Sequence, residues 1–545
     1  MLGESDVCAR IVRCAMAGLL ALAAAASVGL AGAAAEEQKL GPLHDDILFW
    51  RVSRDGRHMA YAARVGEKVV VVRDGQPGRE YDGIAPGTLR FSADGARLAY
   101  VAGQGKQRVV VVDGKAGAPF DGILERNPFF SPNSVHVAYA GTRKGKWTLV
   151  VDGRPGPEYD GVMADNPVFS PDGRRVACVV RRAKKWLVTV DGEESPEFDA
   201  ILAATPVFSA DGKRVAYGAQ SGGKWRMVVD GKAGAGFDAI LGAGPLFSAD
   251  GKRVAYAVQR GDKQLVVADG GAHAPYDAIA DGSLKFSRDG RQLAYTARLG
   301  AKHFAVVEGR RGEAFDGIGL GDPVLSPDGS RVAYGARKGE KWCVVVGRTP
   351  GPLVDALMDG TPAFSPDGRA VAYAARTGTA WRVVVDGKRG PEFDAVMEGS
   401  PVFSPDGRRV AYAARTGDRW QILADGKPQG DYAGIARGSL IFSPDGRHVA
   451  CVGGKGTQQH VVLDGQAGPG FDKIVKPVFS PDGKHIAYRA SRGKKTLIVV
   501  DGQAGPEYDG VIPNGPWFLP DGTVGYLAHR QRMLYRVKAA PPTKR

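Results

Sequence analysis

A spacing of 39 residues runs through almost the whole chain. A Ser-Pro/Ala-Asp-Gly motif, with variants, fixes the period, and its aspartates stand at 55, 94, 172, 211, 250, 289, 328, 367, 406 and 445. Asn133 fills the one gap in this series. Asp482 follows two residues early and Asp521 follows 39 residues later, which makes thirteen copies. A period of this length, held over a whole chain, restricts the fold to an array or a ring of similar units.

Two further markers keep the same phase. An Asp-Gly pair recurs at Asp74, Asp113, Asp152, Asp191, Asp230, Asp269, Asp386, Asp425, Asp464 and Asp501. An aromatic-Asp pair recurs from Tyr81-Asp82 through Phe120-Asp121 to Tyr508-Asp509. Three markers in register show that the units share one internal design.

The unit spanning residues 402–437 shows this design. Val402-Phe403, Val410 to Ala414 and Trp420 to Ala424 are apolar strands, and Tyr432 to Ile435 is a short fourth strand. Glycine-containing turns separate them, and the chain holds 77 glycines. Short strands spaced 8–12 residues apart are typical of antiparallel β-structure.

Four short strands in about 40 residues are typical of one propeller blade. The third strand is almost wholly apolar, as in residues 109–112, and a blade stacked between two others would bury both of its faces. Tryptophan recurs at one position of the repeat, at the start of this strand, and indicates a repeated packing contact; a ligand cage is the alternative. The six residues are Trp147, Trp186, Trp225, Trp342, Trp381 and Trp420. The predicted fold class is therefore all-β, a β-propeller of about thirteen four-stranded blades.

The chain ends complement each other. Residues 41–47 match the fourth-strand motif, while residues 517–537 supply only the first three strands of a unit. We therefore expect the N-terminal strand 41–47 to complete the last blade. Because known rings hold four to eight blades, we expect two rings of six and seven blades, 41–280 and 281–537 with an approximate boundary. One large ring and an open solenoid remain as alternatives, and residues 538–545 form a predicted disordered tail.

The string FSPDGRRVAYAAR, residues 403–415, followed by a strand and Asp-Gly, resembles the WD-like propeller repeats of the TolB type. The resemblance covers about residues 41–537. It implies a propeller that serves as a docking scaffold, an enzyme domain or a sensor. The uniform VVVDGKxGPEYDGI half of the unit departs from the generic pattern.

Residues 1–35 resemble a signal peptide. Arg10 and Arg13 precede an apolar core from Ala15 to Leu30, and Ala33-Ala34-Ala35 offers a cleavage site before Glu36. We expect a periplasmic or secreted protein, with an N-terminal membrane anchor as the alternative. Of the five cysteines, Cys178, Cys343 and Cys451 remain after cleavage, and their spacing predicts no metal site or disulfide framework.

The net charge of +14 stays with the mature chain, because the charges of the leader cancel. Such a balance favours an anionic partner. A basic loop between the second and third strands supplies the candidate binding residues, and ring closure would collect them into an annulus: Lys146, Lys185, Lys224, Lys263, Lys302, Lys341, Arg298, Arg337, Arg376 and Arg415. Residues 377–380 (Thr-Gly-Thr-Ala) interrupt this phase.

Catalytic residues should break the repeat, and few candidates do so. The repeated aspartates therefore read as turn and strand-end residues. His58, His136, His448 and His485 stand where arginine is usual and read as surface substitutes. We predict no catalytic residue, metal or cofactor, and a protein that is not an enzyme. The expected function is docking of an envelope or extracellular protein, or of an anionic polysaccharide, without nucleic acid and without membrane integration after cleavage. The alternative is a propeller enzyme, a polysaccharide lyase or a cofactor-dependent enzyme, with an axial active site.

Overall fold

The computed structural model describes residues 35–319 and 323–542. Within these residues every regular element is a β-strand, and the strands form thirteen antiparallel sheets. Each sheet is one blade with an inner, a second, a third and an outer strand. We number the blades in chain order from blade 1, whose inner strand is Ile47–Val52, to blade 13, which ends at Ala539.

The second strand is the buried centre of each blade. Its Val-Ala-Tyr pattern alternates small and large side chains, and Tyr61 and Tyr295 are completely buried. The second strands are Met59–Val65, Leu98–Gln104, Val137–Arg143, Val176–Arg182, Val215–Ser221, Val254–Arg260, Leu293–Leu299, Val332–Lys338, Val371–Thr377, Val410–Thr416, Val449–Lys455, Ile486–Arg492 and Val524–Arg530.

The third strand has apolar residues on both faces because it packs between two neighbouring blades. Val109, Val110 and Val111 are all buried, although their side chains alternate between the two faces. The third strands are Lys68–Arg73, Gln107–Val112, Lys146–Val151, Lys185–Val190, Lys224–Val229, Lys263–Ala268, Lys302–Val307, Lys341–Val346, Ala380–Val385, Arg419–Ala424, Gln458–Leu463, Lys495–Val500 and Met533–Ala539.

The inner strand is interrupted in blades 2–13, where two short segments pair with the same second strand. Blade 1 has the continuous inner strand. The segments of the other blades are Gly83–Ile84 and Arg90–Phe91, Gly122–Ile123 and Phe129–Phe130, Gly161–Val162 and Val168–Phe169, Ala200–Ile201 and Val207–Phe208, Ala239–Ile240 and Leu246–Phe247, Ala278–Ile279 and Lys285–Phe286, Gly317–Ile318 and Val324–Leu325, Ala356–Leu357 and Ala363–Phe364, Ala395–Val396 and Val402–Phe403, Gly434–Ile435 and Ile441–Phe442, Lys473–Ile474 and Val478–Phe479, and Gly510–Val511 and Trp517–Phe518.

The outer strands differ in length from blade to blade. They are Gln76–Tyr81, Lys115–Ala116, Arg154–Tyr159, Glu193–Glu194, Lys232–Phe237, Gly271–Ala272, Arg310–Arg311, Thr349–Pro350, Lys388–Arg389, Lys427–Tyr432, Gln466–Phe471, Gln503–Ala504 and, in blade 13, Ala35–Pro42. The expected fourth strand from Tyr432 to Ile435 is therefore wrong in its bounds. Tyr432 ends one blade's outer strand, and Gly434–Ile435 pairs with the second strand of the next blade.

The close approach of neighbouring blades explains the glycine of the Gly-Pro-Glu-aromatic-Asp motif. A Cβ atom added at Gly390 would lie 3.0 Å from the carbonyl oxygen of Val383 and 3.5 Å from the hydroxyl of Tyr412 in the next blade. A side chain there would push the tyrosine out of the junction. The motif is a packing element.

The two chain ends meet in blade 13, as the sequence predicts, but through other residues. Ala35–Pro42 pairs antiparallel with Met533–Ala539, from Ala35 opposite Ala539 to Pro42 opposite Met533. The closing strand is thus 35–42 and not 41–47, and Ile47 begins the inner strand of blade 1. Lys538 and Ala539 belong to a strand and not to a tail, while 543–545 lie outside the described residues.

The blades are arranged in one ring. Met59 and Tyr61 of blade 1 share a buried cluster with Leu527 and Leu534 of blade 13. The junction near residue 280 has the same kind of packing, since Tyr276 shares a cluster with Tyr295 of the next blade. These contacts are consistent with the single large ring that the sequence offered as an alternative to two rings of six and seven blades. The fold is a thirteen-bladed β-propeller.

The inner strands of neighbouring blades contact one another, as Ile47–Val52 contacts Arg90–Phe91, so these edges converge on the ring axis. With neighbouring sheets about 10 Å apart and strands about 4.8 Å apart, thirteen blades leave roughly 25 Å between opposite inner strands. The ring therefore surrounds a broad axial opening.

Candidate functional site

The six candidate lysines each begin a third strand, and each forms an ion pair. The lysine Nζ bonds to Oδ1 of the aspartate 14 residues later, which follows an aromatic residue in five copies and Val354 in the sixth. The N–O distances are 2.5–2.7 Å for Lys146–Asp160, Lys185–Asp199, Lys224–Asp238, Lys263–Asp277 and Lys302–Asp316, and Lys341 pairs with Asp355 in the same way.

The second carboxylate oxygen of each aspartate reaches the next blade. Oδ2 of Asp238 accepts a hydrogen bond of 2.6 Å from the backbone N–H of Gly261, in the hairpin of the following blade. Lys224 first, and then this N–H group, hold the pKa of Asp238 below its ordinary value. The lysine and the aspartate thus fasten one blade to the next, and the lysine charges of the predicted annulus are paired with carboxylates.

The four candidate arginines lie on the consecutive blades 7–10 at one register. Arg298, Arg337 and Arg415 donate to the carbonyl oxygens of their own hairpins, at Gly300, Gly339 and Gly417, over 3.1–3.2 Å. Nε of Arg376 is buried and has no hydrogen-bond partner within the described residues. None of the ion pairs in residues 35–319 and 323–542 includes these four guanidinium groups. We call Arg298, Arg337, Arg376 and Arg415 the arginine row.

Aromatic rings support the arginine row from the third strand. Arg337, Arg376 and Arg415 lie directly across the strand pair from Trp342, Trp381 and Trp420, and Arg298 lies across from His303. Cross-strand partners of this kind share one face of the sheet and restrict each other's rotamers. The row is therefore a positioned set of charges on one face of the ring.

The loop at residues 377–380 does break the repeat. Ala380 takes the lysine position, so Asp394 keeps its hydrogen bond from the Gly417 N–H, at 2.7 Å, without a lysine. This aspartate lies at the same junction as Arg415, whose carbonyl oxygen accepts a hydrogen bond from the Asp394 backbone N–H.

The opposite face of the ring carries a second set of charged contacts. Nε of Arg214 donates to Asp230 at 2.8 Å, Nη1 donates to the Lys252 carbonyl oxygen in the next blade, and the guanidinium group stacks on Phe247. The histidines predicted as arginine substitutes occupy this position. Their Nδ1 atoms lie 2.6–2.7 Å from the corresponding aspartates, in the pairs His58–Asp74, His136–Asp152, His448–Asp464 and His485–Asp501. They replace arginine in these pairs and remain partly exposed.

The turn aspartates are structural, as expected. The Ser404 hydroxyl donates to Asp406 at 2.5 Å, and the Arg408 backbone N–H donates to the same oxygen. In one copy, hydrogen bonds from Ser326 and then from Ser330 lower the pKa of Asp328 to about 2. These carboxylates hold β-turns.

The remaining repeated residues serve packing. Trp186, Trp225, Trp342, Trp381 and Trp420 lie against the buried clusters of their blades. Cys178, Cys343 and Cys451 are free thiols and are buried. In the part of the chain that the structure describes, no three metal-ligating side chains come together, and no helix is long and apolar enough to span a bilayer.

Comparison with known proteins adds little beyond these contacts. No family model matches the chain, and no curated protein matches it. Among solved structures, it is similar to a eukaryotic initiation factor, with 14% identity, a TM-score of 0.34, and coverage of 76% of this chain and 99% of that one. It is also similar to the β-propeller domain of the Trilobed protease from Pyrococcus furiosus, with 15% identity, a TM-score of 0.23, and coverage of 49% and 94%. A third match is the Dos1 propeller, with 13% identity, a TM-score of 0.26, and coverage of 62% and 92%.

Proposed function

We propose that the protein is an exported binding scaffold that docks an anionic polymer along the arginine row. The observation that carries this proposal is the presence of four guanidinium groups at one register of four consecutive blades, without carboxylate partners in the described residues. The neighbouring lysine charges are already neutralised by aspartates. The row is therefore a set of positive charges on this face that belong to no ion pair of the described residues.

The spacing of the row favours a repetitive ligand. Neighbouring blades place equivalent residues about 10 Å apart, so the four guanidinium groups extend over roughly 30 Å. A polymer with regularly spaced carboxylate or sulfate groups would meet several of them at once, and each added contact raises the effective concentration for the next. Arginine pairs with such groups in a bidentate manner.

The test compares two charge-matched variants by calorimetric titration with a polyuronate. One variant carries R298Q, R337Q, R376Q and R415Q, and the control carries K146Q, K185Q, K224Q and K302Q, whose lysines are ion-paired. We expect at least a tenfold weaker Kd for the first variant and a change within threefold for the control. Neutral dextran should bind neither. Equal losses in both variants would reduce the effect to net charge and overturn the proposal.

Export is a separate part of the proposal and rests on the sequence of residues 1–35. Residues 1–34 lie outside the described part of the chain, and Ala35 begins the closing strand. Cleavage after Ala35 would leave Glu36 opposite Lys538, with the rest of the pairing intact. Intact-mass measurement of the protein from its native host should give a chain starting at Glu36, and a full-length soluble product would contradict export with cleavage.

A further inference from the structure

A groove lies between blades 11 and 12 on the face opposite the arginine row. Its volume is about 580 Å³, which is the size of a ligand pocket. Val461 and Ile486 line it and are buried. Asp464 and Asp501 line it as well, and their side chains keep 43% and 16% of their surface exposed. The groove thus combines apolar lining with two carboxylates that a ligand can reach.

The segment that follows the last strand lies at this groove. Pro542, the last residue that the structure describes, is one of the residues that line it. The third strand of blade 13 ends at Ala539, and residues 540–542 belong to no strand. Three extended residues span about 10 Å, which is about one blade spacing. The chain therefore crosses blade 12 after it leaves blade 13, and Pro541 and Pro542 are half-buried there.

The sequence of this segment suits docking in an extended form. Pro541 and Pro542 have a restricted φ and no backbone N–H, so the segment is extended but cannot pair as a strand. Thr543, Lys544 and Arg545 follow them and lie outside the described residues. Three further residues add about 10 Å at most. Two basic side chains therefore remain within reach of the groove that Pro542 lines.

The carboxylates of the groove lack the fixed positive partner that they have elsewhere in the ring. Nδ1 of His448 lies 2.6 Å from Asp464, and Nδ1 of His485 lies 2.6 Å from Asp501. Arginine is always charged, whereas histidine is charged only in acidic solution. In the matching groove of blades 4 and 5, arginines take both places, in the pairs Arg175–Asp191 and Arg214–Asp230.

The remaining fixed charges at the groove do not replace these arginines. Lys484 is the one lysine among the described residues that line it. Its Nζ lies 3.7 Å from Oδ2 of Asp482, which offsets its charge. The groove therefore favours a ligand with basic groups.

We propose that residues 540–545 dock in the groove between blades 11 and 12, with Lys544 and Arg545 against the carboxylates of Asp464 and Asp501. The two prolines cover apolar lining, and the two basic residues supply the charge that arginine supplies at other junctions. The segment thereby ties blade 13, where the chain ends meet, to the two blades that precede it. This contact lies on the face opposite the arginine row and does not depend on polymer binding there.

The experiment records where the segment lies in the chain 35–545. Thr543→p-benzoylphenylalanine introduces a photo-crosslinker directly after Pro542, and mass spectrometry maps the products of illumination. We expect intramolecular crosslinks to residues 461–468 and 484–503, with a yield at least tenfold above that in denaturant. Crosslinks spread over other blades, or a yield no higher than in denaturant, would contradict docking. Crosslinked dimers in place of monomers would assign the segment to a second copy and would also overturn the proposal.

The histidines supply a variant that should fold normally, because arginine stands at the same position in other blades. H448R/H485R gives both aspartates a fixed partner, so we expect the crosslink yield to fall at least fivefold. The charge-matched control is H136R/A370R, which adds two arginines at the same register of blades 3 and 9 and should stay within twofold. If the control loses as much as H448R/H485R, long-range charge accounts for the loss and the docking contact is refuted.

The basic residues test the contact from its other side. K544Q/R545Q should lower the yield as much as H448R/H485R does, and all four substitutions together should cause no further loss, because both pairs remove one interaction. Residues 540–542 belong to no strand, so K544Q/R545Q should leave the Tm unchanged. An unchanged crosslink yield in K544Q/R545Q, or losses that add in the combined variant, would rule out the proposed pairing.

Discussion

The hydroxyl of Tyr508 donates a hydrogen bond of 2.6 Å to Oε1 of Glu37, across 471 positions of sequence. Nη2 of Arg530 donates to the other carboxylate oxygen at 2.7 Å. Burial first, and then this contact, raise the pKa of Tyr508 above its ordinary value. Glu37 thus joins the first described strand to blade 12 through Tyr508 and to blade 13 through Arg530.

The first prediction concerns this closure. A chain that starts at Leu43 loses the outer strand of blade 13, so the backbone groups of Met533–Ala539 lose their partners, at about 0.5–1.5 kcal/mol for each hydrogen bond. We expect a lower Tm and aggregation through the exposed strand edge. Scanning calorimetry with light scattering measures both.

The matched control for the closure ends at Ala539 and so removes residues 540–545, which follow the last strand. It should melt close to the intact chain. In the full chain, Glu37→Ala should lower the Tm more than Glu37→Gln, which retains an acceptor for Tyr508. Equal melting temperatures for the two truncations would show that the ring does not depend on its terminal strand.

The second prediction concerns acid stability. Because Lys224 and the Gly261 N–H group lower the pKa of Asp238 in the folded state, this carboxylate contributes stability that is present above the unfolded pKa, near 4. The contribution is lost as the pH falls through the lower folded value. We expect a steady Tm from pH 7 to about pH 5 and a steep fall below about pH 4.

Lys185→Met/Lys224→Met tests the origin of this dependence. The double variant should lower the Tm at pH 6, and the difference from the unmodified chain should shrink toward pH 2.5, where the aspartates are protonated. Lys232→Met is the control, because Lys232 lies exposed on an outer strand and belongs to no ion pair in the described chain. A difference that persists unchanged at low pH would assign the effect to the lysine stem and not to its charge.

The third prediction is a gain of stability at a junction that lacks its arginine. Ala370 stands where Arg214 and Arg409 stand in other blades. Asp386 accepts a hydrogen bond from the Val371 N–H, and position 370 offers it no basic side chain. Ala370→Arg should pair with Asp386 and stack on Phe403, stabilising the fold by about 0.5–1 kcal/mol. Calorimetry should show a higher Tm.

The aspartate supplies the matched control for this junction. In the double variant Ala370→Arg/Asp386→Asn, the gain should shrink to the contribution of stacking alone. If Ala370→Arg raises the Tm by the same amount with Asp386 and with Asn at position 386, the arginine does not act through the carboxylate.

The fourth prediction concerns the thiols. Burial raises the pKa of Cys178 and of Cys451 to about 12, so at pH 8 only about one thiol in ten thousand is ionised. The native protein should therefore not react with a disulfide reagent over hours, whereas a chain that starts at Glu36, which keeps three of the five cysteines, should release three equivalents of product in denaturant. Rapid reaction of the native chain would contradict the buried positions.

The repeat and its turn chemistry made the blade predictable. The 39-residue period, the Ser-Pro-Asp-Gly turn and the apolar third strand are local features, and they imply an antiparallel blade packed on both faces. The complementary chain ends also predicted closure, although Ala35–Pro42 forms the strand in place of 41–47. The error arose because Gly41-Pro42 resembles the outer-strand motif by sequence, while strand pairing extends back to Ala35.

The sequence could not show whether the lysines of the basic loop are paired with carboxylates. Lys224 and Asp238 are 14 residues apart and belong to different turns, and Gly261, the other partner of the aspartate, lies in the next blade. The sequence shows the spacing of 14 residues between the lysine and the aspartate, but only the pairing of the strands brings their side chains together. The register also leaves the four arginines of the row outside every ion pair of the described residues.

The sequence alone determined the blade, the number of blades and the meeting of the chain ends, because these follow from local hydrogen bonding and from the alternation of apolar residues. The tertiary structure decided that the blades form one ring, since ring size depends on the small angle between packed sheets, which no residue pattern encodes. It also decided which charges are neutralised and which remain, because Coulomb energies depend on distances across blade junctions.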